Sequence, residues 1–553
     1  MKRTILYLTI CAILVHVYTN PAFAVRYHVN IHNGDDANNG LKWSTAFENL
    51  QTAIDAADDG DEIWIAAGIY HPTKKIADVY GTAGHLTTPT SDRHRSFLIN
   101  RNIQLYGGFQ QNPSDATTMN SRNWRINQTV LSGDFNENDG DNFENMDENA
   151  YHVVILFDAS PSLVLDGFYI TGGCANDVAN TYYDGNRLYY VAGADGGGIY
   201  AYAPVKASSP TLTNISFYGN YAQNAGGAMF NYAYANDASP VMTNVSIVHN
   251  KADYRHGGGL YNNGGGEVHA RLVNMNVVGN ESWLSGGGLY FFSIDECSPT
   301  IVNTVVNGNF SGGGNGGGVY MATYNGDAQP AIINSTICGN RVAINPMKDG
   351  GGLVVFPVGI SKANIFNTVI WGNKGDDIDN LFADGDWGKD NTISSSFIEG
   401  LNDLDASNLP GNTDPKFLEP VRGEYAPTMD GDYQLTLESP LINKGANTYI
   451  SISYDLLGNS RIFNNIVDIG AYESQGTTPV FCETVSNEKL IWSYNGYCYV
   501  RVNQSASLYV YTLDGTLVKH VNRLSEGLHQ FVIPRGFFIV SLNNGVTEKI
   551  VVR

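Results

Sequence analysis

Apolar and polar residues alternate in short segments that recur through the middle of the chain. Six segments align without a gap, and each has apolar residues at its first and sixth positions and Asn at its third and ninth. The ninth-position Asn residues follow one another at intervals of 30, 30, 29, 31 and 33 residues. The segments are Leu212–Asn220, Met242–Asn250, Leu272–Asn280, Ile301–Asn309, Ile332–Asn340 and Ile365–Asn373.

A repeat of this length, with strand-like alternation and no amphipathic helix inside it, is typical of a β-solenoid. Each repeat then forms one turn, which we call a rung, and equivalent residues of successive rungs stack about 4.8 Å apart. The apolar first and sixth positions are predicted to fill the interior. The third-position Asn is predicted at a bend, because Asn tolerates left-handed backbone torsions and can hydrogen-bond to its copies. The ninth-position Asn is expected to mark the next corner.

Each repeat also contains a glycine-rich element such as Gly257-Gly-Gly-Leu-Tyr261. No Lys-Ser or Lys-Thr pair follows these glycines, which excludes the usual phosphate-binding loop. We interpret the glycines as structural, because they permit turns and close contact between rungs that a Cβ atom would prevent.

The two ends of the chain differ from the repeats. Thr45-Ala-Phe-Glu48 has the form of a capping box, which predicts a helix from about Thr45 to Ala57. This helix would cover the open end of the solenoid, with the strand Glu62–Ala66 as the first rung. Residues 401–474 are expected to form closing rungs. From Cys482 to Arg553 short alternating strands with Asp-Gly and Asn-Gly turns predict a small β-sandwich.

The predicted fold class is therefore all-β: a parallel β-helix, or β-solenoid, with an N-terminal capping helix and a small C-terminal β-sandwich. The predicted organisation is a signal peptide (1–24), an N-terminal strand and capping helix (25–60), the parallel β-helix (61–400), its closing rungs (401–474), a linker (475–481) and the C-terminal β-sandwich (482–553).

The N-terminus has the form of a secretory signal. Lys2 and Arg3 precede an apolar run from Ile5 to Val17, and the small-residue pattern Ala22-Phe-Ala24 follows. The mature chain is expected to begin at Val25 and to be secreted or displayed on the cell surface. No later stretch reaches about 20 uninterrupted apolar residues, so no transmembrane segment is expected.

Charge and cysteine content limit the partners. The 553 residues include 32 Lys plus Arg and 54 Asp plus Glu, a formal net charge of −22. Such a surface repels nucleic acid and anionic lipid, so no nucleic-acid partner is expected. Export to an oxidising compartment would permit disulfides, and Cys482 and Cys498 are close enough in sequence to pair, which remains open.

The Gly-Gly-Gly-Leu-Tyr and Gly-Asn repeats resemble the right-handed parallel β-helix proteins of the pectate-lyase-like superfamily, including the repeats of polymorphic outer-membrane proteins, over about residues 60–473. The pattern from Ser439-Pro-Leu-Ile-Asn443 to Asp468-Ile-Gly-Ala-Tyr-Glu473 is similar to a domain that ends many exported β-helices. The resemblance to the pectate-lyase-like superfamily implies that the β-helix winds in the right-handed sense.

The C-terminal segment Ile533-Pro-Arg-Gly-Phe-Phe-Ile-Val540 and the basic end from Lys549 to Arg553 resemble the C-terminal sorting domain of type IX secretion cargo. The resemblance implies export across both the inner and the outer membrane, with the secretion machinery as a partner. Phe537-Phe538 replaces the single aromatic residue that is commoner in that family, which leaves cleavage of the domain open.

Two polar groups are candidates for chemistry. Asp134, Asn136, Asn138 and Asp141 resemble an oxygen-ligand loop for calcium, although Gly140 falls one position too late for an EF-hand; the alternative is a flexible acidic insertion. Lys251, Asp253, Arg255 and His256 form the densest ionisable group within the regular repeats, and we expect it to be a solvated turn.

An aromatic column is the best candidate surface. If the residue before each aromatic points inward, strand alternation turns the aromatic outward at every rung, and sugar rings stack on such faces. The alternative is a structural column that the protein's own loops cover. The column consists of Tyr200, Phe230, Tyr261, Tyr290 and Tyr320.

These features predict an exported, non-catalytic adhesin or carbohydrate-binding protein, whose partner is a polysaccharide or a glycan on a host or neighbouring cell. The first alternative is a polysaccharide lyase or glycoside hydrolase of the pectate-lyase-like fold. Hydrolysis would require two carboxylates about 5 to 9.5 Å apart, and Asp295 and Glu296 would point apart in a strand. The second alternative is a passive surface stalk.

Overall fold

The structure is a computed structural model. It describes residues 24–78, 81–82, 91–177, 180–183, 188–343, 350–375, 379–383, 391–402, 406–476, 491–494, 497–502, 506–512, 517–524, 527–532, 536–542 and 547–552. Nearly all of the predicted signal peptide and most of the predicted linker lie outside the described residues. Almost every regular element is a β-strand.

Four parallel sheets form the β-helix, and we call them A, B, C and D in the order in which each repeat visits them. The strands of sheet A are Arg26–Val29, Glu62–Ala66, Gln104–Phe109, Val164–Asp166, Thr211–Thr213, Val241–Thr243, Arg271–Val273, Thr300–Val302, Ala331–Ile333, Asn364–Phe366 and Thr392–Ser394. The strands of sheet B are Gly68–Tyr70, Thr129–Ser132, Phe168–Thr171, Ser216–Tyr218, Ser246–Val248, Asn276–Val278, Val305–Asn307, Thr336–Cys338, Val369–Trp371 and Phe397–Ile398.

The short strands of sheet C are Cys174–Ala175, Tyr221–Ala222, Lys251–Ala252, Glu281–Ser282, Phe310–Ser311 and Arg341–Val342. Those of sheet D are Phe97–Ile99, Val154–Phe157, Ile199–Ala203, Met229–Ala233, Leu260–Gly264, Leu289–Ser293, Val319–Thr323, Leu353–Phe356 and Leu381–Ala383. Short antiparallel strands at Gly81–Thr82, Asn180–Tyr183 and Leu188–Val191 form a separate sheet. The 3-10 helices are Trp43–Thr45, Ile76–Asp78, Asp92–His94, Met119–Ser121, Asp141–Phe143, Gly423–Tyr425 and Asn447–Tyr449.

The register of the sheets confirms the predicted columns. Met242 pairs with Leu212 on one side and with Leu272 on the other, and Ile247 pairs with Phe217 and Val277. The side chains of both apolar columns are buried in one continuous core. This arrangement confirms an all-β parallel β-helix. Crossovers between parallel strands are right-handed almost without exception, which is the predicted hand.

Both asparagine columns are present. The third-position residues have φ between 49° and 56°, in the left-handed region as predicted, and Asn274 Nδ2 donates to Asn244 Oδ1 at 2.9 Å. The ninth-position residues are buried, and each amide nitrogen donates to the Oδ1 of the next rung, as in Asn250 to Asn280 at 3.0 Å and Asn280 to Asn309 at 2.9 Å. A hydrogen-bonded amide ladder therefore runs inside the corner.

The N-terminal helix is shorter than predicted and begins later. It spans Leu50–Ala56 and buries Leu50 and Ile54 against the first strands. The predicted capping box is absent, because the carboxylate of Asp36 accepts the backbone amides of Glu48 and Asn49 instead. The strand Arg26–Val29 pairs outside Glu62–Ala66, so Glu62–Ala66 is the second strand of sheet A and not the first. No helix in the described part of the chain is long and apolar enough to cross a membrane.

The prediction that residues 401–474 form closing rungs differs from the structure. Leu409 forms one parallel bridge with Phe397, and the chain then folds back along the outside of the β-helix, where Phe417–Glu419 and Asp432–Leu435 form an antiparallel pair. The backbone amide of Thr428 donates to Gly308 O at 2.9 Å, three rungs back. The apolar residues of this segment bury against outward-facing side chains of sheet B such as Trp371.

The C-terminal residues form two antiparallel sheets around a separate apolar core, as predicted for a β-sandwich. One sheet contains Ile491–Tyr494, Tyr497–Val502 and Gly527–Val532, and the other contains Leu517–Leu524, Ala506–Thr512, Gly536–Leu542 and Thr547–Val552. The turns of the two predicted hairpins lie outside the described residues. Cys498 is buried and free, and Cys482 is outside the described residues.

Candidate ligand-binding cleft

The predicted aromatic column lies on the outer face of sheet D. Its five rings occupy consecutive rungs, and the ring centroids of neighbours lie 5.4, 4.8, 5.1 and 5.3 Å apart with interplanar angles of 7° or less. The rings therefore stack on one another along the β-helix axis. They are Tyr200, Phe230, Tyr261, Tyr290 and Tyr320.

This stacking limits what the column can bind. The faces of each inner ring are partly covered by the rings above and below it, so mainly the ring edges are left for a ligand. Tyr200 is only 1% exposed and packs under Ile76 and Val191. The imidazole of His256 lies against Tyr290 with centroids 4.4 Å apart. The column is thus partly covered by the protein's own loops, and the geometry disfavours the use of all five rings as sugar platforms.

A second outward column runs beside the first, two residues further along each strand. Its members on five rungs are Tyr202, Tyr232, Asn263, Phe292 and Ala322. Phe292 is half-buried, and its neighbours in the column, Asn263 and Ala322, are not aromatic. Sequence reasoning followed only the first column and missed Phe292, although strand alternation puts residues 290 and 292 on the same face.

A cleft of about 270 Å³ opens between the two columns and the loops that precede sheet D. Residues from consecutive rungs form its walls, and apolar rings lie beside amide, guanidinium and carboxyl groups. The lining residues are Asp195, Asn224, Ala225, Phe230, Arg255, His256, Tyr261, Asn263, Tyr290 and Phe292.

Two small side chains create this cleft. In the loop before sheet D, one side chain per rung accepts the backbone amide of the next rung: Asp195 Oδ1 accepts Ala225 N at 3.0 Å, and His256 Nδ1 accepts Ser285 N at 3.2 Å. Ala225 occupies the equivalent position between them and has only a methyl group. Asn263 likewise replaces an aromatic residue of the second column. These departures from the repeat leave the space.

Burial sets the protonation of the two titratable groups in the cleft wall. It raises the pKa of Asp195 to about 7, although the Ala225 amide and Arg255 oppose the shift. It lowers the pKa of His256 to about 4, and Arg255 lowers it further. His256 is therefore neutral at pH 7, and because its Nδ1 accepts a hydrogen bond, its Nε2 carries the proton.

The ionisable group predicted to be a solvated turn is divided in two. Lys251 pairs with Asp253 at 3.2 Å and with Glu281 at 3.5 Å, which fits a solvated surface network. Arg255 is exposed, as expected for a solvated turn, and His256 is half-buried; both also line the cleft, which the sequence did not predict. The interval from Asn250 to Gly257 is one residue longer than that from Asn220 to Gly226, and this insertion is the signal that could have identified them.

The predicted calcium loop shows no assembled ligand set in the described residues. The carboxylate of Asp134 accepts the backbone amides of Asn136 at 3.2 Å and Asp139 at 3.0 Å. Asn136 and Asn138 are exposed, and the side chain of Asp141 lies outside the described residues. Elsewhere in the described chain no group of three or more His, Cys, Asp or Glu residues could hold a metal ion. Calcium binding by this loop stays a prediction.

Comparisons with known proteins add the following. No protein-family model matches the chain, and no curated protein matches it. Among solved structures, the chain is similar to the crystal structure of pectate lyase Pel9A, with 14% sequence identity, a TM-score of 0.38, and coverage of 82% of this chain and 97% of that chain.

Proposed function

We propose that this protein binds a glycan, without catalysis, in the cleft on the outer face of sheet D. The observation that carries the proposal is the half-buried ring of Phe292, whose column neighbours are not aromatic, beside polar groups from three rungs. Sugars combine apolar C–H faces with hydroxyl groups, and they bind to sites that pair an aromatic ring with fixed hydrogen-bonding groups.

The polar groups of the cleft can supply the hydrogen bonds that a sugar site requires. The side-chain amides of Asn224 and Asn263 offer both donors and acceptors, and Asn263 Nδ2 is oriented by the hydroxyl of Tyr261 at 2.8 Å. Arg255 adds a guanidinium with donors only. A hydroxyl group, which both donates and accepts, can use each of these partners.

Export supports the same proposal. The signal-like N-terminus and the resemblance of the C-terminal β-sandwich to a type IX sorting domain favour a protein that is secreted or displayed on the cell surface, with the secretion machinery as a partner. An adhesin of this kind would meet polysaccharides or glycans of a host or neighbouring cell. Mass spectrometry of the secreted and surface fractions tests the proposal, because export predicts a chain that begins at Val25.

The binding test uses a glycan array to identify ligands and calorimetry to measure their affinity for the full chain. Phe292→Ala should weaken binding about tenfold or more, because it removes the ring on which the sugar stacks. Phe356→Ala is the matched control, since Phe356 lies two rungs beyond Phe292 in the same column, outside the cleft. Equal affinities of the wild type and Phe292→Ala would reject the site, and the absence of any glycan ligand would favour the passive stalk.

The second candidate is a polysaccharide lyase or glycoside hydrolase, and one observation favours it. The cleft brings a carboxyl group that titrates near neutral pH, Asp195, together with Arg255. It ranks second because a hydrolase needs a pair of carboxylates, and Asp195 is the single carboxylate among the described lining residues. Reducing-end and unsaturated-product assays over a panel of polysaccharides test it: turnover that Asp195→Asn abolishes would replace the binding proposal.

A further inference from the structure

The loops that leave sheet D expose a row of apolar side chains. Tyr234, Ile294, Tyr324 and Val358 follow the ends of their strands, and they are 63%, 38%, 65% and 67% exposed. Gly265 occupies the same position on the rung between Tyr234 and Ile294, so the row has one gap. The rungs keep them in register: the backbone amide of Tyr324 donates to Ser293 O at 3.0 Å, and that of Tyr234 donates to Ala203 O at 2.9 Å. An exposed apolar row of this kind is typical of a protein interaction site.

A row of carboxylates runs parallel to the apolar row. Backbone hydrogen bonds align the loops, from Val268 N to Glu296 O at 2.8 Å and from Cys297 N to Asp327 O at 3.1 Å. Like charges on successive rungs repel one another, and at Asp237 and Asp327 the carboxylate also accepts a backbone amide of the next rung, from Glu267 and Ile360, each at 2.9 Å. The acidic row consists of Asp237, Glu267, Glu296 and Asp327, with Asp295 beside it.

The protein's own cations neutralise only part of the acidic row. Glu267 pairs with His269 at 3.0 Å, and Asp327 pairs with Lys362 at 3.3 Å. Among the described residues no Lys, Arg or His lies within ion-pair distance of the side chains of the other three acids. Asp237 and Glu296 accept hydrogen bonds, from the backbone amide of Glu267 at 2.9 Å and from the hydroxyl of Ser298 at 2.6 Å, but these bonds bring no positive charge. The surface therefore combines exposed aromatic and aliphatic groups with negative charge that lacks a counter-ion in the described part of the chain.

We propose that this surface, which we call the sheet D edge, docks a basic polypeptide segment rich in aliphatic side chains. A second copy of the same chain fits poorly, because a symmetric interface would place the acidic rows against one another. A polypeptide offers cationic and branched aliphatic side chains together, and an extended segment running along the axis could reach both rows. This docking surface is separate from the glycan cleft and does not depend on it.

The test measures fluorescence anisotropy of the full-length protein with a labelled peptide of Lys, Ile and Ser in equal parts, at about 0.15 M salt. Tyr324→Ser should weaken binding about tenfold, and the double variant Asp295→Asn with Glu296→Gln should do the same. The matched control is Asp414→Asn with Glu424→Gln, which removes the same charge from exposed positions elsewhere and should change binding less than about twofold. Phe292→Ala should leave peptide binding unchanged.

Four results would overturn the proposal. If the double variant at Asp295 and Glu296 and the control double variant lose the same amount of peptide affinity, total charge alone attracts the peptide. Equal binding of a peptide with Glu in place of Lys would remove the charge argument. A dimer seen by analytical ultracentrifugation and abolished by Tyr324→Ser would make a second copy the occupant. Equal binding of chitosan, a cationic polysaccharide, would reject a polypeptide as the specific partner.

Discussion

At the scale of single residues, the buried asparagines determine how the rungs join. From Asn250 onward, the Oδ1 of each ninth-position Asn accepts both the backbone amide and the side-chain amide of the Asn on the previous rung, as Asn280 Oδ1 does from Asn250 at 3.0 Å. Buried polar groups of this kind are costly unless every one is paired. The sequence predicted the corner because Asn recurs there in six repeats, but the direction of the hydrogen bonds required coordinates.

Replacing one member of this ladder should be strongly destabilising. Asn280→Ala removes the acceptor of the Asn250 backbone amide and one of the acceptors of its side-chain amide, which keeps its bond to Val248 O; a buried group left unpaired costs about 1–3 kcal/mol. The urea midpoint should fall clearly below that of the wild type. Asn325→Ala, at an exposed position, is the control and should change stability by less than about 0.5 kcal/mol. A urea midpoint for Asn280→Ala equal to that of the wild type would mean that the asparagine ladder contributes little to stability.

Asp195 gives the cleft a dependence on pH. Its pKa rises from 3.8 to about 7 on folding, so between these pH values the folded state binds more protons than the unfolded state. Stability should therefore fall as pH rises through this window, by up to about 1.4 kcal/mol per pH unit, and level off above it. Asp195→Asn should lose this slope when unfolding is measured at several pH values. An unchanged slope in the variant would assign the pH dependence to another group.

At the scale of elements, two expectations failed for the same physical reason. The N-terminal helix starts at Leu50 because Asp36, distant in sequence, satisfies the amides that a capping box would have used. Residues 406–476 leave the helical winding because sheet B presents apolar groups such as Trp371 on its outer face. In both cases a tertiary contact overrides a local sequence pattern. The local pattern does not contain the information about which distant residue will contact it in the folded chain.

The returning segment carries a buried charge cluster that should hold it in place. Arg461 is 1% exposed, and its Nη2 donates to Gly470 O, whereas its Nε and Nη1 have no hydrogen-bond partner among the described residues. The carboxyl groups of Asp455, Asp468 and Glu473 interact with it electrostatically without a direct ion pair. Burial raises the pKa of Glu473 to about 8, and Asp468 adds to the shift. All three carboxylates also accept backbone amides, so the cluster fixes several loops at once.

Removing the cation from this cluster should loosen the segment. Arg461→Met removes the hydrogen bond to Gly470 O and the electrostatic attraction between the guanidinium and the three carboxyl groups, and should destabilise the packing by about 1–3 kcal/mol. Limited proteolysis should then cut within residues 406–476 well before the rungs are cut. Arg125→Met, at an exposed arginine, should behave as the wild type does. If both variants are cleaved within residues 406–476 as slowly as the wild type, the cluster is not needed to hold this segment in place.

At the scale of the whole molecule, the repeat determines most of the fold and little of the site. A nearly constant rung length puts like residues over one another, so the columns and the core follow from the alignment. The cleft arises where the repeat is broken, by Ala225, by Asn263 and by the insertion that carries Arg255. Such departures look like ordinary sequence variation until the coordinates show that they lie side by side.

The most direct test of the binding proposal is a crystal structure of the full chain with the glycan of highest affinity from the array. We predict a sugar ring packed on Phe292, with its hydroxyl groups within hydrogen-bond distance of Asn224, Asn263 or Arg255. Density for the glycan on another face of the β-helix, with the cleft occupied only by solvent, would contradict the account.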